Sequence, residues 1–187
     1  MSNKKNKWDI ISSISGAIAA LAALATIYFA LSALNEEKHF KRPYFECKAP
    51  GIKKLDNSPP FRIQITMRNS GIHAAKDLIG KILIIEQSLN EKPSFSFDFS
   101  ISNDIPPNSP TPWYNDSAIL PNNINAQYIV LILNYKDAIF NNEYNQYFYM
   151  KWNGVKNGIT DPNFVHTSIE EKNKLIEYLN IFNMDKL

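Results

Sequence analysis

The chain has 187 residues, of which 44% are hydrophobic and 12% aromatic, and it carries 20 basic and 18 acidic side chains. The first 42 residues hold six of the basic and three of the acidic side chains, so residues 43–187 carry 14 and 15 and are close to neutral. This balance argues against a nucleic-acid partner, which normally needs a basic stripe. A single cysteine, Cys47, excludes an internal disulfide.

An uncharged segment of 25 residues, from Ile10 to Leu34, dominates the N-terminal region. As a helix it would be about 37 Å long, enough to cross a hydrocarbon core of about 30 Å. Trp8 suits the headgroup level, with a basic flank over residues 1–7 outside it. The alternative is a cleavable signal peptide, but its apolar region runs only about 7 to 15 residues. We therefore predict an uncleaved single-pass transmembrane helix over residues 8–34.

Basic residues flank this span on both sides, and more of them follow it than precede it. The N-terminal flank has Lys4, Lys5 and Lys7, and the C-terminal flank has Lys38, Lys41, Arg42 and Lys48. The positive-inside rule then predicts a cytoplasmic C-terminal domain at a bacterial inner (plasma) membrane, after a juxtamembrane linker over residues 35–42. A single cysteine fits a reducing compartment but is compatible with either side.

Small residues recur at four-residue spacing in the predicted span. Ser12, Gly16 and Ala20 would share one helix face. Small residues at this spacing let two helix backbones approach closely in lipid, which predicts a homo-oligomer held by this face. The alternative is that the alanines only reflect the composition of a moderately hydrophobic span.

Residues 43–166 are predicted to form a mainly β domain. The segment Phe61–Arg68 alternates apolar and polar side chains, which is typical of a half-buried strand, and Asn-Ser-Gly at 69–71 ends it. Further strands are predicted at Ile79–Gln87, Ser94–Ile101, Tyr128–Tyr135 and Tyr144–Trp152, with a hairpin turn at 137–142. Several short strands at this spacing indicate an antiparallel sandwich or barrel.

A loop is predicted from Asn103 to Asn125, because its five prolines cannot donate hydrogen bonds in the centre of a sheet. This segment also contains two large aromatic residues, Trp113 and Tyr114. They either fold back as a lid on the β domain or form a recognition surface, since loops on a rigid scaffold often carry binding residues. Trp113 and Tyr114 are therefore the candidate recognition residues.

The C-terminal residues 167–187 are predicted to be helical. Thr167 and Glu170 have the spacing of a capping box, and an apolar stripe follows them. The stripe consists of Ile169, Leu175, Ile176, Leu179 and Phe182. A one-sided sheet needs a cover, so we expect this helix to pack on the β domain.

Three short motifs carry a resemblance to a known class of proteins. They are Arg42-Pro43-Tyr44, then Met67-Arg68-Asn69-Ser70-Gly71 with Ala74-Ala75, and Tyr135-Lys136-Asp137 before Phe140. Together with the preceding apolar span, they resemble uncharacterised bacterial proteins that have one N-terminal transmembrane helix and an immunoglobulin-like soluble domain. The resemblance implies a β-sandwich and no assigned activity. His73 stands where those proteins often have proline.

Catalytic and cofactor motifs are missing from the sequence. It has no HExxH, GxSxG, Walker A or CxxC pattern. The histidines, His39, His73 and His166, lie far apart, which argues against a metal site, and His73 is predicted to be a solvated turn residue. Asp137 and Glu143 flank a hairpin and are expected to cap it rather than to act as acid and base. Cys47 is expected to be a buried structural residue.

Two classes of function remain. Both are non-enzymatic, and no cofactor is expected for either. The first is a membrane-anchored interaction module whose β-sandwich binds a protein or a small ligand. The second is an oligomeric membrane effector, of a phage-defence or toxin-like kind, whose soluble domain senses a signal and whose helix perturbs the bilayer. A single span without charged pore-lining residues favours the first class, and small-residue helix association would favour the second.

Overall fold

The computed structural model describes residues 3–55 and 61–184, with side chains from residue 11 onward. The chain divides into two compact units, with the boundary in the sequence between Lys41 and Arg42. Parts of the predicted elements lie outside the described residues or side chains. They are residues 1–2 and the side chains of residues 3–7 of the basic flank, the side chain of Trp8, residues 56–60 of the predicted β domain and residues 185–187 of the predicted C-terminal helix.

The first unit is one long helix, α1 (Asn3–Lys41). Alanine and leucine, the strongest helix formers, fill its middle. Within the described residues this helix is long and apolar enough to cross a membrane, as judged from length and composition. It extends past the predicted end at Leu34, so residues 35–41, predicted as a linker, are helical. An ion pair between Glu37 and Lys41, one turn apart, supports this last part of the helix.

The second unit is mainly β, with antiparallel strands in two main sheets. One sheet has the order β1-β2-β5, the other has the order β10-β7-β6-β3-β4, and β8 and β9 form a separate hairpin. The strands within the described residues are β1 (Phe45–Lys54), β2 (Phe61–Asn69), β3 (Ala75–Glu86), β4 (Phe95–Ile101), β5 (Pro110–Ala118), β6 (Gln127–Asp137), β7 (Glu143–Trp152), β8 (Val155–Lys156), β9 (Ile159–Thr160) and β10 (Val165–His166).

Side chains from both main sheets form one hydrophobic core. The predicted apolar face of β2 is confirmed, because Phe61, Ile63, Ile65 and Met67 are all buried in this core. The five-stranded sheet contributes Leu78, Ile82, Ile84, Ile129, Leu131, Leu133, Met150 and Trp152, among others. Each aliphatic side chain buried in this way contributes about 1.5–3 kcal/mol to folding.

The outer face of the five-stranded sheet packs on the C-terminal helix, α2 (Ile169–Ile181). Strand β6 is buried continuously from its first residue to Leu133 because it has apolar neighbours on both faces. The second core comprises Leu83, Ile85, Tyr128, Val130, Ile132, Leu175, Tyr178 and Leu179. The predicted helix is thus confirmed, but its capping box is Ser168 with Glu171, one residue later than predicted.

Strands β1 and β5 do not show the side-chain pattern from which strands were predicted, and the two-residue strands β8, β9 and β10 were not predicted either. Strand β1 is irregular, since its register with β2 shifts between Lys48 and Gly51, where Ala49 has a positive φ of 42°. Such a bulge breaks the alternation that reveals a strand. Strand β5 falls in the segment predicted as a loop, so that prediction was wrong for Pro110–Ala118. Its prolines are tolerated because β5 is an edge strand.

The connecting segments of the β domain gather at two ends. We call the end where the domain begins the proximal end, and it contains residues 42–44, 70–74, 102–109 and 138–142. We call the other end the distal end, and it contains residues 87–94, 119–126 and the β8–β9 hairpin. Strand β6 runs from the distal to the proximal end over 11 residues, which is about 35 Å.

Candidate functional site

The surface of α1 is apolar and exposed over residues 11–34. Its large side chains are exposed in this chain, including Leu21, Leu24 and Ile27. The hydroxyl groups of Ser15 and Thr26 donate hydrogen bonds to backbone carbonyls of their own helix, at Ser12 and Ala22. Because these polar groups are satisfied internally, they add little cost to a lipid environment.

Ser12, Gly16 and Ala20, the predicted association residues, lie four residues apart along α1 and are exposed. A Cβ built at Gly16 would meet no atom within 4 Å. This face of α1 is therefore accessible to a second helix, and the association of two α1 helices through it remains a prediction.

The two candidate recognition residues lie on strand β5, where neighbouring side chains point to opposite faces. Trp113 is half-buried, packs against the main core and stacks on Phe99, with ring centroids 4.6 Å apart. The Phe99 ring occupies the space beside Gly80, where any Cβ would collide with it. Tyr114 instead is 60% exposed. The structure therefore does not bring Trp113 and Tyr114 together on one surface.

Tyr114 belongs to a charged cluster on the outer face of the three-stranded sheet. The guanidinium carbon of Arg62 lies 5.1 Å from the centre of the Tyr114 ring. Arg62 also donates two hydrogen bonds to Asp116, from Nε to Oδ1 at 2.6 Å and from Nη2 to Oδ2 at 2.7 Å. This hydrogen bonding raises the pKa of Arg62 and lowers the pKa of Asp116. The bidentate pair with Asp116 restricts the guanidinium group near the Tyr114 ring, although the cluster is exposed.

A buried ionisable pair lies at the proximal end. Nδ1 of His73 is 2.8 Å from Oδ2 of Asp137, and both side chains are buried. The prediction that His73 is a solvated turn residue was therefore wrong. His73 and Asp137 are 64 residues apart and meet only because β3 pairs with β6, so no local sequence pattern could reveal the contact.

Asp137 also caps the hairpin, as predicted. Its Oδ1 accepts hydrogen bonds from the backbone amides of Ile139 and Phe140. Burial raises the pKa of Asp137, but the hydrogen bonds from His73, Phe140 and Ile139 outweigh burial and bring it below its ordinary value of 3.8. Glu143 takes a different partner, since its Oε1 accepts a hydrogen bond from Nδ2 of Asn134 at 2.7 Å. The residues around this hairpin thus have structural partners.

The first residues of the β domain are held by buried amide and hydroxyl groups. Gln146 both accepts a hydrogen bond from the backbone N–H of Phe45 and donates one to its carbonyl. The hydroxyl of Tyr135 donates to the carbonyl of Pro43 at 3.2 Å. Nδ2 of Asn69 bridges the carbonyls of His73 and Ile105, and its Oδ1 accepts from the backbone of Tyr44. Residues 43–45 are therefore an ordered part of the domain.

Two openings in the β domain have linings that suit ligands. A cleft of about 690 Å³ lies at the distal end, and Gln127 is among its lining residues. Nε2 of Gln127 donates to the carbonyl of Asn125, while Oε1 is buried without a hydrogen-bond partner among the described residues. A groove of about 420 Å³ lies between β1 and β7, with Cys47, Phe148 and Phe164 among its lining residues. Both offer polar and aromatic groups of the kind that bind ligands.

Metal-ligating side chains do not cluster in the part of the chain that the structure describes, where no group of three or more His, Cys, Asp or Glu residues could hold an ion. Cys47 is half-buried and packs against the main core. Burial raises the pKa of its thiol to about 12, so little of the reactive thiolate exists near neutral pH. Packing is the role that this environment supports.

Comparisons with known proteins add little to this description. No family model matches the chain, and no curated protein matches it. The solved structure of the Northeast Structural Genomics Consortium target SoR45 is similar to it over 70% of this chain and 90% of that one, at 15% sequence identity and a TM-score of 0.39. A likeness this distant supports no conclusion about the fold or the activity.

Proposed function

We propose that this protein is a membrane-anchored interaction module that acts by binding rather than by catalysis. Helix α1 is its single-pass anchor, and its β domain binds a protein or a small ligand. The observation that carries the proposal is the combination of an exposed apolar helix, long enough to span a bilayer, with a separate domain that has its own core. A helix that is apolar all round suits lipid on every side.

The β domain belongs to the immunoglobulin-like class of sandwiches in this proposal, as the resemblance to uncharacterised bacterial membrane proteins implies. The strand order supports this. If β1 to β7 are lettered A, B, C, C′, E, F and G in chain order, the sheet β1-β2-β5 has the order A-B-E and the strands β7-β6-β3-β4 have the order G-F-C-C′, as in immunoglobulin-like domains. The interaction function then lies on the outer surface of this scaffold.

The recognition surface in this proposal is the outer face of the three-stranded sheet, around Tyr114. The outer face of the other sheet is covered by α2, whereas Tyr114, Arg62 and Asp116 are exposed. Aromatic and arginine side chains are enriched among residues that dominate binding energy. The edge strand β5 begins with prolines at 110 and 112, which limit pairing with another strand. Binding would therefore use side chains rather than an added strand.

The β domain is cytoplasmic in this proposal, because the basic residues are more numerous after the span than before it. Fusions of the full chain to alkaline phosphatase or to green fluorescent protein at the C-terminus test this orientation. Fluorescence without phosphatase activity supports it, and phosphatase activity contradicts it.

The anchor is tested on the full chain by washing membranes with alkaline carbonate and measuring intact mass. Retention in the membrane pellet with residues 1–34 present supports the anchor. Release of a soluble species that begins near Ala33 would show instead that the apolar segment is a cleaved signal peptide.

The recognition surface is tested by placing a photo-crosslinking amino acid at Tyr114 in the full chain in native membranes. The matched control carries it at Asp98, whose side chain is 71% exposed on strand β4 of the other sheet. A discrete crosslinked product from position 114, weakened by Arg62→Ala and absent from position 98, supports the proposal. The same products from both positions, or none from 114, would place recognition elsewhere.

A further inference from the structure

The proximal end of the β domain carries two uncharged loops with exposed apolar tips. Residues 70–74 and 138–142 contain no Lys, Arg, Asp or Glu, and their histidine, His73, is buried against Asp137. Their tips are Ile72, which is 61% exposed, and Ile139, which is 66% exposed. The exposed ring of Tyr44 lies at the same end. These isoleucines expose apolar side-chain area to water and contribute little burial to the core of the domain.

These two loops are fastened to each other and to the residues with which the domain begins. The backbone amide of Ser70 donates to the carbonyl of Tyr44 at 2.7 Å. Gly71 packs so closely on the chain that a Cβ there would collide with the carbonyl oxygen of Arg42. The amide of Ala138 donates to the carbonyl of Ala74 at 3.0 Å. The apolar tips are thus held beside the first residues of the domain.

The start of the domain lies close to the apolar part of α1 along the chain. Arg42 directly follows Lys41, the last residue of the helix, and only residues 35–41 separate it from the end of the uncharged span at Leu34. In a helix these residues extend about 10 Å, and the headgroup region adds about 5–8 Å to each side of the hydrocarbon core. An upright helix would therefore place Arg42 about 2–5 Å outside the headgroup region. An isoleucine on a loop beside Arg42 that faces the bilayer can bridge a gap of this size.

We propose that Ile72 and Ile139 dock the proximal end of the β domain on the surface of the bilayer that α1 crosses. This inference rests on the proposed membrane anchor. The tips enter the headgroup region while the ring of Tyr44 lies at the interface, where amphipathic aromatic rings are favoured. Because the tips carry no charge, insertion depends on apolar contact, and anionic lipid is not required.

Two other exposed isoleucines provide matched controls. Ile119 is 74% exposed and Ile159 is 76% exposed, and both lie at the distal end. They present the same side chain at the same or greater exposure, at the opposite end of β6. A contact with lipid that is specific to the proximal end must therefore distinguish Ile72 and Ile139 from Ile159.

The test attaches the fluorophore NBD to single cysteines in the full chain, in a Cys47→Ala background. The labelled variants are Ile72→Cys, Ile139→Cys, Ile159→Cys as the distal control and Ile27→Cys as the reporter of the anchor. Each is reconstituted in phosphatidylcholine vesicles whose lipids carry a nitroxide quencher either on the headgroup or in the middle of the acyl chain. Equal melting temperatures of the variants establish that the labels leave the fold intact.

We expect the headgroup quencher to reduce emission at positions 72 and 139 and to leave emission at 159 unchanged, with or without added phosphatidylglycerol. The acyl-chain quencher should reduce emission at 27. Quenching at 27 without quenching at 72 and 139 overturns the docking and leaves the anchor standing, whereas no quenching at 27 overturns the anchor itself. Blue-shifted but unquenched emission at positions 72 and 139 would mean that protein, rather than lipid, covers the tips. Quenching that occurs only with phosphatidylglycerol would mean that charge drives the contact. Either result overturns the proposal.

Discussion

The rings of Trp113 and Phe99 stack across the space between the two main sheets, with an interplanar angle of 26°. Trp113 lies on β5 and Phe99 on β4, and each of these strands is at an edge of its sheet. The stack therefore connects the two sheets along their edges, at strands β5 and β4. Aromatic pairs with this geometry contribute about 0.5–1.5 kcal/mol beyond the area that they bury. Trp113 thus has a structural role that its proline-rich segment did not reveal.

The first prediction separates Trp113 from its neighbour Tyr114. Trp113→Ala should lower the free energy of unfolding by about 2–3 kcal/mol, below the range of about 3–5 kcal/mol for a fully buried aromatic because Trp113 is half-buried. Tyr114→Ala, the matched control on the opposite face, should change it by about 0.5 kcal/mol or less. Thermal unfolding of the full chain in detergent measures both. Equal losses from the two substitutions would contradict the packing role of Trp113.

The strands that were predicted correctly are those whose side-chain pattern is set by burial. Strand β2 alternates because one face meets the core and the other meets solvent, and β6 is continuously apolar because both faces are covered. Strand β1 contains a bulge at Ala49, and β5 contains prolines that only an edge position allows. Edge positions depend on the order of strands in the sheet, which a single sequence does not contain.

The candidate site was harder to predict because its contacts join distant parts of the chain. The motif Trp113-Tyr114 drew attention to two adjacent aromatics, yet the pleat of a strand separates them onto opposite faces. The cluster of Arg62 with Tyr114 and Asp116 depends on the pairing of β2 with β5, across 54 residues between Arg62 and Asp116. The charge and aromatic content of such a cluster is visible in the sequence, but its proximity is not.

The second prediction concerns the acid side of the stability profile. Because hydrogen bonds hold the pKa of Asp137 below 3.8 in the folded state, the unfolded chain binds more protons in that range. The stabilisation from Asp137 is complete above the ordinary pKa and is lost as the pH falls from about 4 through the folded-state pKa. Asp137→Asn should therefore flatten the dependence of unfolding free energy on pH below about pH 4.

At neutral pH the same substitution should cost about 1–3 kcal/mol, because it weakens buried hydrogen bonds from His73, Ile139 and Phe140. Asp98→Asn removes an exposed carboxylate and serves as the control. Denaturant unfolding of the full chain, repeated at pH values from about 2 to about 7, measures the unfolding free energy of both variants. An unchanged acid limb in Asp137→Asn would show that this carboxylate does not carry the pH dependence.

The third prediction is that residues 42–187 fold without α1. Both hydrophobic cores are formed by residues after Arg42, and the chain divides into compact units at that point. A chain that starts at Arg42 should therefore be soluble, unfold cooperatively and give a far-UV circular dichroism spectrum dominated by β structure, with a smaller helical contribution from α2. A spectrum typical of an unfolded chain in the absence of lipid would show that the β domain depends on the helix.

The last prediction concerns association through α1. If the face with Ser12, Gly16 and Ala20 holds two helices together, Gly16→Leu should lower the oligomeric fraction of the full chain in detergent, because a large side chain prevents close approach of the backbones. Ala25→Leu is the matched control, since a rotation of about 100° per residue places position 25 on the opposite side of the helix from Gly16. Light scattering of the protein–detergent complex gives the mass of each variant. An oligomer that persists in Gly16→Leu but dissociates in Ala25→Leu would move the interface to the other face, and a monomeric wild-type chain would remove both the helix association and the oligomeric effector function that requires it.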